Sequence, residues 1–377
     1  MTRPEAAKLK LRIALLACLF ALLLASTTLA QDATASVDES PASEPTVEPL
    51  AEGPVTTVNG ESVPAALFQQ RVRLTRFLYA YTLSETLNGL LDSGIAAQNA
   101  VNAVQAFFAD EFRLLQVHDL IGDRVLDTLE RDVLLRQIAA ERGLTVDDEA
   151  IDTLILDYIN RPRTLVASAQ GTADEPSPSD EALEAFYAEA FTRVGVSSEV
   201  VRDFFEAQAL RDVVLEDEFG PMPQEWPFVT VRHILVASYD QATDVLAQLE
   251  NGADFAELAE NVSIDQSTAA EGGALGTTIS EVFVEPFAEA VREAPVGEFA
   301  GPVETQFGYH IFQVTERETR LVDAEAIEAL ARARSREFQN WLSAQVIAAD
   351  IKREPDWFDL IPVQPVGEEL LRQMISR

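Results

Sequence analysis

Phe228-Val-Thr-Val-Arg-His-Ile-Leu-Val236 and Tyr309-His-Ile-Phe-Gln-Val314 are the two stretches whose reading decides the fold. Both concentrate β-branched, aliphatic and aromatic residues, the composition of strands that pack on a core. Each also places a histidine inside the apolar run, His233 in the first and His310 in the second. Between them lie Asn251-Gly-Ala-Asp-Phe-Ala-Glu-Leu-Ala259, which reads as a turn into a helix, and then Ser263-Ile-Asp265. Next come Gly272-Gly-Ala-Leu-Gly276, Phe283-Val-Glu-Pro-Phe287 and Gly301-Pro-Val-Glu-Thr305. The glycines of the first of these suit positive-φ backbone, not phosphate binding. Residues 228–318 therefore read as one mixed α/β module.

Working outward, Gly220-Pro-Met-Pro-Gln-Glu-Trp-Pro227 holds three prolines in eight residues, and proline cannot continue a helix. A hinge is expected at 221–227. Upstream, residues 55–220 carry helical periodicity: Leu74, Phe77, Leu78 and Tyr81, then Ile151, Leu154, Ile155, Tyr158 and Ile159 behind Thr145 as N-cap with Asp148 at N3. Val201, Phe204 and Phe205 open another helix behind Ser197 and Ser198, and 169–179 reads as a loop. Val55-Thr-Thr-Val-Asn-Gly60 reads as a strand and a turn. Downstream, 319–350 is expected to be a helix returning to the helical domain through Ile327, Leu330, Phe338, Trp341 and Leu342, with 351–377 a tail.

At the N-terminus, Arg3, Lys8, Lys10 and Arg12 precede an apolar run from Ile13 to Ala25 and a small-residue exit to Ala30. This is the pattern of a secretory signal peptide over residues 1–30, cleaved after Ala30 or retained as an N-terminal membrane anchor through 13–30. Residues 31–54 contain no aromatic and are dominated by Ala, Ser, Thr, Pro, Asp and Glu, a flexible tether. An extracytoplasmic location, secreted or in the cell envelope, follows. The chain has 377 residues with 28 Lys+Arg against 63 Asp+Glu, a formal charge of −35, which argues against nucleic acid as a partner. One cysteine, Cys18, excludes an internal disulfide, and three histidines leave little for a metal site. His118 has no partner pattern and reads as structural.

The order of blocks across 228–318 resembles the parvulin (rotamase) family of peptidyl-prolyl cis/trans isomerases. The resemblance implies a four-stranded antiparallel sheet flanked by helices, and with the helical domain an α+β fold overall. It implies that His233, Asp265, Thr305 and His310 carry catalysis, and that Leu275, Phe283 and Phe287 form an apolar pocket for the proline ring. Phe283 stands where the family often has methionine. Val55–Val63 and Leu134–Val146 resemble the chaperone domain of the SurA/PrsA-type secreted foldases, which implies a chaperone-like lobe at 55–220. The implied partners are unfolded or nascent exported polypeptides with X–Pro bonds.

Amide rotation requires none of the usual chemical apparatus. The C–N bond resists rotation by about 18–20 kcal/mol because resonance stiffens it. A site that favours the twisted amide over both planar forms lowers that barrier with no nucleophile, cofactor or metal. Family members that read phosphoserine before proline carry a basic cluster after the first strand. Here Ala237-Ser-Tyr-Asp-Gln-Ala-Thr-Asp244 has no cation, and phosphate recognition needs one. The expectation is an isomerase with attached holdase activity. The alternative is a non-catalytic chaperone that uses the same fold only to bind proline-containing segments.

Overall fold

The structure is a computed structural model that describes residues 49–170 and 179–375. The expected signal segment, all but the end of the tether, and most of the 169–179 loop lie outside the described residues. The chain divides into two compact units, one built from residues up to 214 and from 344 onward, the other from 215 to 343. No helix among the described residues is long and apolar enough to cross a membrane.

In the first unit β1 (Pro54–Val58) and β2 (Glu61–Pro64) pair antiparallel. Asn59 and Gly60 turn between them at φ 52° and 85°, as the Asn-Gly pair implies. α1 (Ala65–Asp92) is then surrounded by α2 (Ala97–Phe107), α3 (Ala109–Gln116), α4 (His118–Arg142), α5 (Asp148–Gln170) and α6 (Asp180–Val194). Leu74, Phe77, Tyr81, Ile155, Phe186 and Phe205 share one core. α5 begins after Asp147, whose carboxylate accepts from the Ala150 N–H at 2.8 Å; a cap at Thr145 is two residues early because Asp147 captures the free N–H first. α7 (Ser198–Phe219) leads out of this unit.

Because α1 is enclosed on several sides, Arg71, Arg73 and Arg76 are buried with it. Arg71 pairs with Asp132 of α4 and with Asp203 of α7. Arg76 donates to the Pro362 carbonyl at 2.6 Å. The burial of Arg71 and Arg76 is offset by the acceptors that meet each of them.

The second unit begins with β3 (Glu225–Val236), followed by α8 (Tyr239–Glu250), α9 (Phe255–Val262), the short α10 (Gln266–Ala269), β4 (Ala274–Ile279), α11 (Phe287–Glu293), β5 (Phe299–Thr305) and β6 (Gly308–Leu321). The four strands form one antiparallel sheet in the order β4-β3-β6-β5. Alternation along the strands sends Ile234, Val236 and Ile311 to α8 and α9 on one face. Val229, Val231, Phe312 and Val314 meet α11 on the other.

Three boundaries differ from expectation. Residues 225–227 are strand, not hinge: β3 pairs with β6 from Glu225, while its pairing with β4 starts only at Phe228. One edge of that segment is therefore open, where Pro227 with no N–H fits. α12 (Ala324–Ala348) does not return wholly to the helical unit. Its first turns bury Ala326, Ala329 and Leu330 against Phe228 and Ile279 of the sheet, and Ile327 is 43% exposed because the inward stripe passes beside it. Phe338 and Leu342 are buried as expected.

Finally, the tail expected at 351–377 is structured over 351–375. β7 (Ile351–Arg353) joins β1 antiparallel, and α13 (Gly367–Ile375) buries Leu370 and Met374 in the helical core.

Candidate active site

β3 and β6 are neighbours, and their register sets His233 opposite Phe312 and Leu235 opposite His310. The two histidines therefore sit diagonally on one face, within reach of each other. Their Nδ1 atoms are 3.1 Å apart, with ring centroids separated by 5.3 Å. Both residues are buried, at 4% and 5% exposure. Asp265 comes from the N-cap of α10, and its Oδ2 lies 2.8 Å from His233 Nε2. Thr305, on the last position of β5, places Oγ1 2.8 Å from His310 Nε2. The structure thus brings together all four polar residues singled out in the sequence.

The proton positions in this chain follow from its ends. A carboxylate only accepts, so His233 donates from Nε2 to Asp265 and its Nδ1 is left an acceptor. His310 must then donate from Nδ1 to His233, which leaves His310 Nε2 to accept from the Thr305 hydroxyl. The two imidazoles are neutral and hold opposite tautomers. Burial favours this, since it penalises the charged form of each. It pushes His233 below its ordinary value, against the pull of Asp265. It lowers His310 to about 4, with the neighbouring His233 adding to the effect. For Asp265 burial works in the opposite direction, but hydrogen bonds from Ser267, His233 and Thr268 outweigh it and hold the carboxyl down at about 2. The result is a row of aligned hydrogen bonds ending on one fixed negative charge.

The apolar wall is built on the same face. Phe287, the first residue of α11, lies against the His310 ring with centroids 4.6 Å apart and planes inclined by 25°. Phe283 meets Phe287 edge-on at 5.3 Å, and Leu275 packs in the same cluster. All three expected pocket residues are therefore neighbours on the floor. Phe287 is only 3% exposed and is part of the core between the sheet and α11.

Sequence reasoning missed the residues that fix this geometry. The Thr268 hydroxyl donates to Asp265 Oδ2 at 2.8 Å, and the Ser267 N–H donates to Oδ1 at 3.1 Å. The signal was present in Asp265-Gln-Ser-Thr268, an acid followed by hydroxyls at capping distance. Phe312 was also passed over; it supports Phe287 from below at 5.1 Å and 81°. Gly273 is required, because a Cβ there would stand 2.1 Å from the His233 carbonyl, and its own carbonyl accepts the His233 N–H at 2.8 Å. That contact fixes the strand carrying His233 against the loop before β4. Among the described residues no group of His, Cys, Asp and Glu is disposed to hold a metal ion.

Comparison with known proteins gives this arrangement a family. Residues 228–318 match the PPIC-type PPIase domain. Residues 228–318 are a parvulin-type peptidyl-prolyl isomerase domain. The chain containing it is 26% identical over 264 residues to the foldase protein PrsA of Caldanaerobacter subterraneus subsp. tengcongensis, covering 69% of this chain and 72% of that one. It is 31% identical over 232 residues to PrsA of Halalkalibacterium halodurans, covering 61% and 63%. It is also 32% identical over 164 residues to the chaperone SurA of Hahella chejuensis, covering 40% and 37%. The chain thus spans about a third to three quarters of these relatives. Beyond that domain the chain is similar to PrsA- and SurA-type foldases.

Proposed function

We propose that the His233–His310 pair, with Thr305 and Asp265, forms the floor on which an X–Pro amide twists, while Leu275, Phe283 and Phe287 hold the pyrrolidine ring. The observation that carries this is the direct stacking of Phe287 on His310, which joins the apolar wall to the hydrogen-bonded floor. As the amide twists, conjugation is lost and negative charge leaves the carbonyl oxygen. The fixed charge of Asp265 disfavours the planar, charge-separated form more than the twisted one, which lowers the barrier. The histidines keep that carboxylate in place and transfer no proton.

The clients in this reading are unfolded or nascent polypeptides that have left the cytoplasm. The basic segment and apolar run of residues 3–25 support export, whether cleaved or retained as an anchor. The helical lobe, 55–220 with the C-terminal segment, serves as the holdase. The test is refolding of a proline-limited client. The full chain is expected to accelerate the slow phase, and Phe287→Ala to remove most of that acceleration while costing about 3–5 kcal/mol of domain stability. Absence of acceleration, with client binding retained, would leave the protein a proline-binding chaperone without catalysis.

A further inference from the structure

Phe283 sits in the loop between β4 and α11, and its two neighbours are not what holds it in place: Val282 and Val284 are 40% and 38% exposed. The loop is fastened through Glu281, whose side chain is only 9% exposed. The Glu281 carboxylate meets donors from three places. The Trp226 indole N–H of β3 donates to Oε2 at 3.1 Å, and the Ser280 hydroxyl donates to the same oxygen at 3.0 Å. Arg292 of α11 donates to Oε1 at 3.4 Å and to Glu285 at 3.2 Å. Arg292 is itself held, because Arg317 of β6 donates to the carbonyls of Arg292, Val291 and Ala294 at 2.7–3.0 Å. The β3–β4 register ends with Phe228 opposite Ile279, and its continuation sets Trp226 opposite Glu281. A side-chain hydrogen bond therefore takes over where the backbone ladder stops.

We infer that Glu281 is a positioning residue of the isomerase site: joined to Trp226 and Arg292, it sets where Phe283 stands against Phe287. This rests on the reading of Leu275, Phe283 and Phe287 as the proline pocket. A carboxylate so nearly buried is stable only where donors meet it. Here they come from the strand that opens the domain and from the helix whose first residue is Phe287. Glu281 and Glu285 lie two residues to either side of Phe283, and both pair with Arg292, so the loop is strapped to α11 on each side of the ring. None of the hydrogen bonds or ion pairs of Glu281 goes to His233, Asp265 or His310 among the described residues. Glu281 therefore acts on the apolar wall and leaves the hydrogen-bonded floor alone. Its loss loosens the grip on the pyrrolidine ring equally in the planar and twisted forms, which raises KM and spares kcat.

The experiment measures kcat and KM of the full chain on one short Ala-Pro peptide for the unaltered protein, Glu281→Ala, Trp226→Phe and the double variant. Glu281→Ala is expected to raise KM about fivefold with kcat held within about twofold. Trp226→Phe keeps an aromatic ring, removes only the N–H donor, and is expected to raise KM about twofold. The double variant should match Glu281→Ala alone, since without Glu281 the indole N–H has no partner left to lose. An unmoved KM in both single variants, whatever happens to their denaturation midpoints, would overturn the positioning role while the isomerase reading stands. So would KM changes that multiply in the double variant. Trp226→Phe carries the test where Glu281→Ala does not fold. Absence of turnover by the unaltered protein would instead remove the isomerase reading, and the role of Glu281 with it.

Discussion

The isomerase domain closes its polar network within residues 233–310, whereas the helical lobe is joined across nearly the whole chain. In the first, Asp265, His233, His310 and Thr305 lie on one sheet and one adjoining cap. In the second, Arg76 reaches the carbonyl of Pro362, 286 residues away, and Arg353 pairs with Glu130 at 2.6 Å. Both regions bury polar groups and pair them. The difference lies in what holds the partners together. In the isomerase domain it is strand register, and in the lobe it is the docking of a C-terminal segment that has no fixed local relation to α1. One region is autonomous in sequence, and the other depends on both ends.

The largest expected effect breaks that contrast directly. Removing residues 350–377 should unfold the helical lobe, since it deletes a strand, two buried side chains of the core and the two carbonyls that accept from Arg76. The isomerase domain should keep its activity towards a short X–Pro peptide. Circular dichroism and a peptide assay on the same sample check both halves, and loss of the two together would show that the lobe and the domain fold as one.

A single buried ion pair comes next. Asp132→Ala leaves Arg71 with one partner in the interior and should cost about 3–5 kcal/mol of lobe stability, read by denaturant titration. The corresponding cut in the isomerase domain should be milder. Thr268→Val removes one hydrogen bond from Asp265, costing about 1 kcal/mol, and should raise the Asp265 pKa, visible by NMR titration.

The smallest effect separates the two regions by pH. His233 and His310 are held below 6.5 when folded, and His310 reaches about 4. Between these values the unfolded chain binds more protons than the folded one. The stability of the isomerase domain is therefore complete above about pH 6.5 and declines as pH falls towards 4. Its activity should be flat from pH 6.5 to 8, when the two imidazoles remain neutral. A peak in activity near pH 6.5 would contradict the tautomer chain.

Much of the site was legible because β structure and short caps are written locally. Two apolar runs with one histidine each, and an acid beside hydroxyls, fix types and spacing before any folding is known. What periodicity could not give was the far partner. Nothing near Arg71 or Arg76 in sequence says that a charged face of α1 will be enclosed, and nothing in 351–377 says that it will enclose it. Ile327 shows the same limit: its spacing suits a core, yet the helix turns Ala326 and Leu330 inward.

By itself, then, the sequence determined an acidic chain with a parvulin-type module at 228–318 and the chemical types of its site. These depend on strand composition and on capping between near neighbours, interactions strong over a few residues. Only the tertiary structure decided the direction of the hydrogen bonds through His233 and His310, the contact of Phe287 with His310, and the use of the C-terminus to finish the lobe. Each of those is a distance between segments far apart in the chain, set by how whole elements pack, and packing responds to the shape of every neighbour at once.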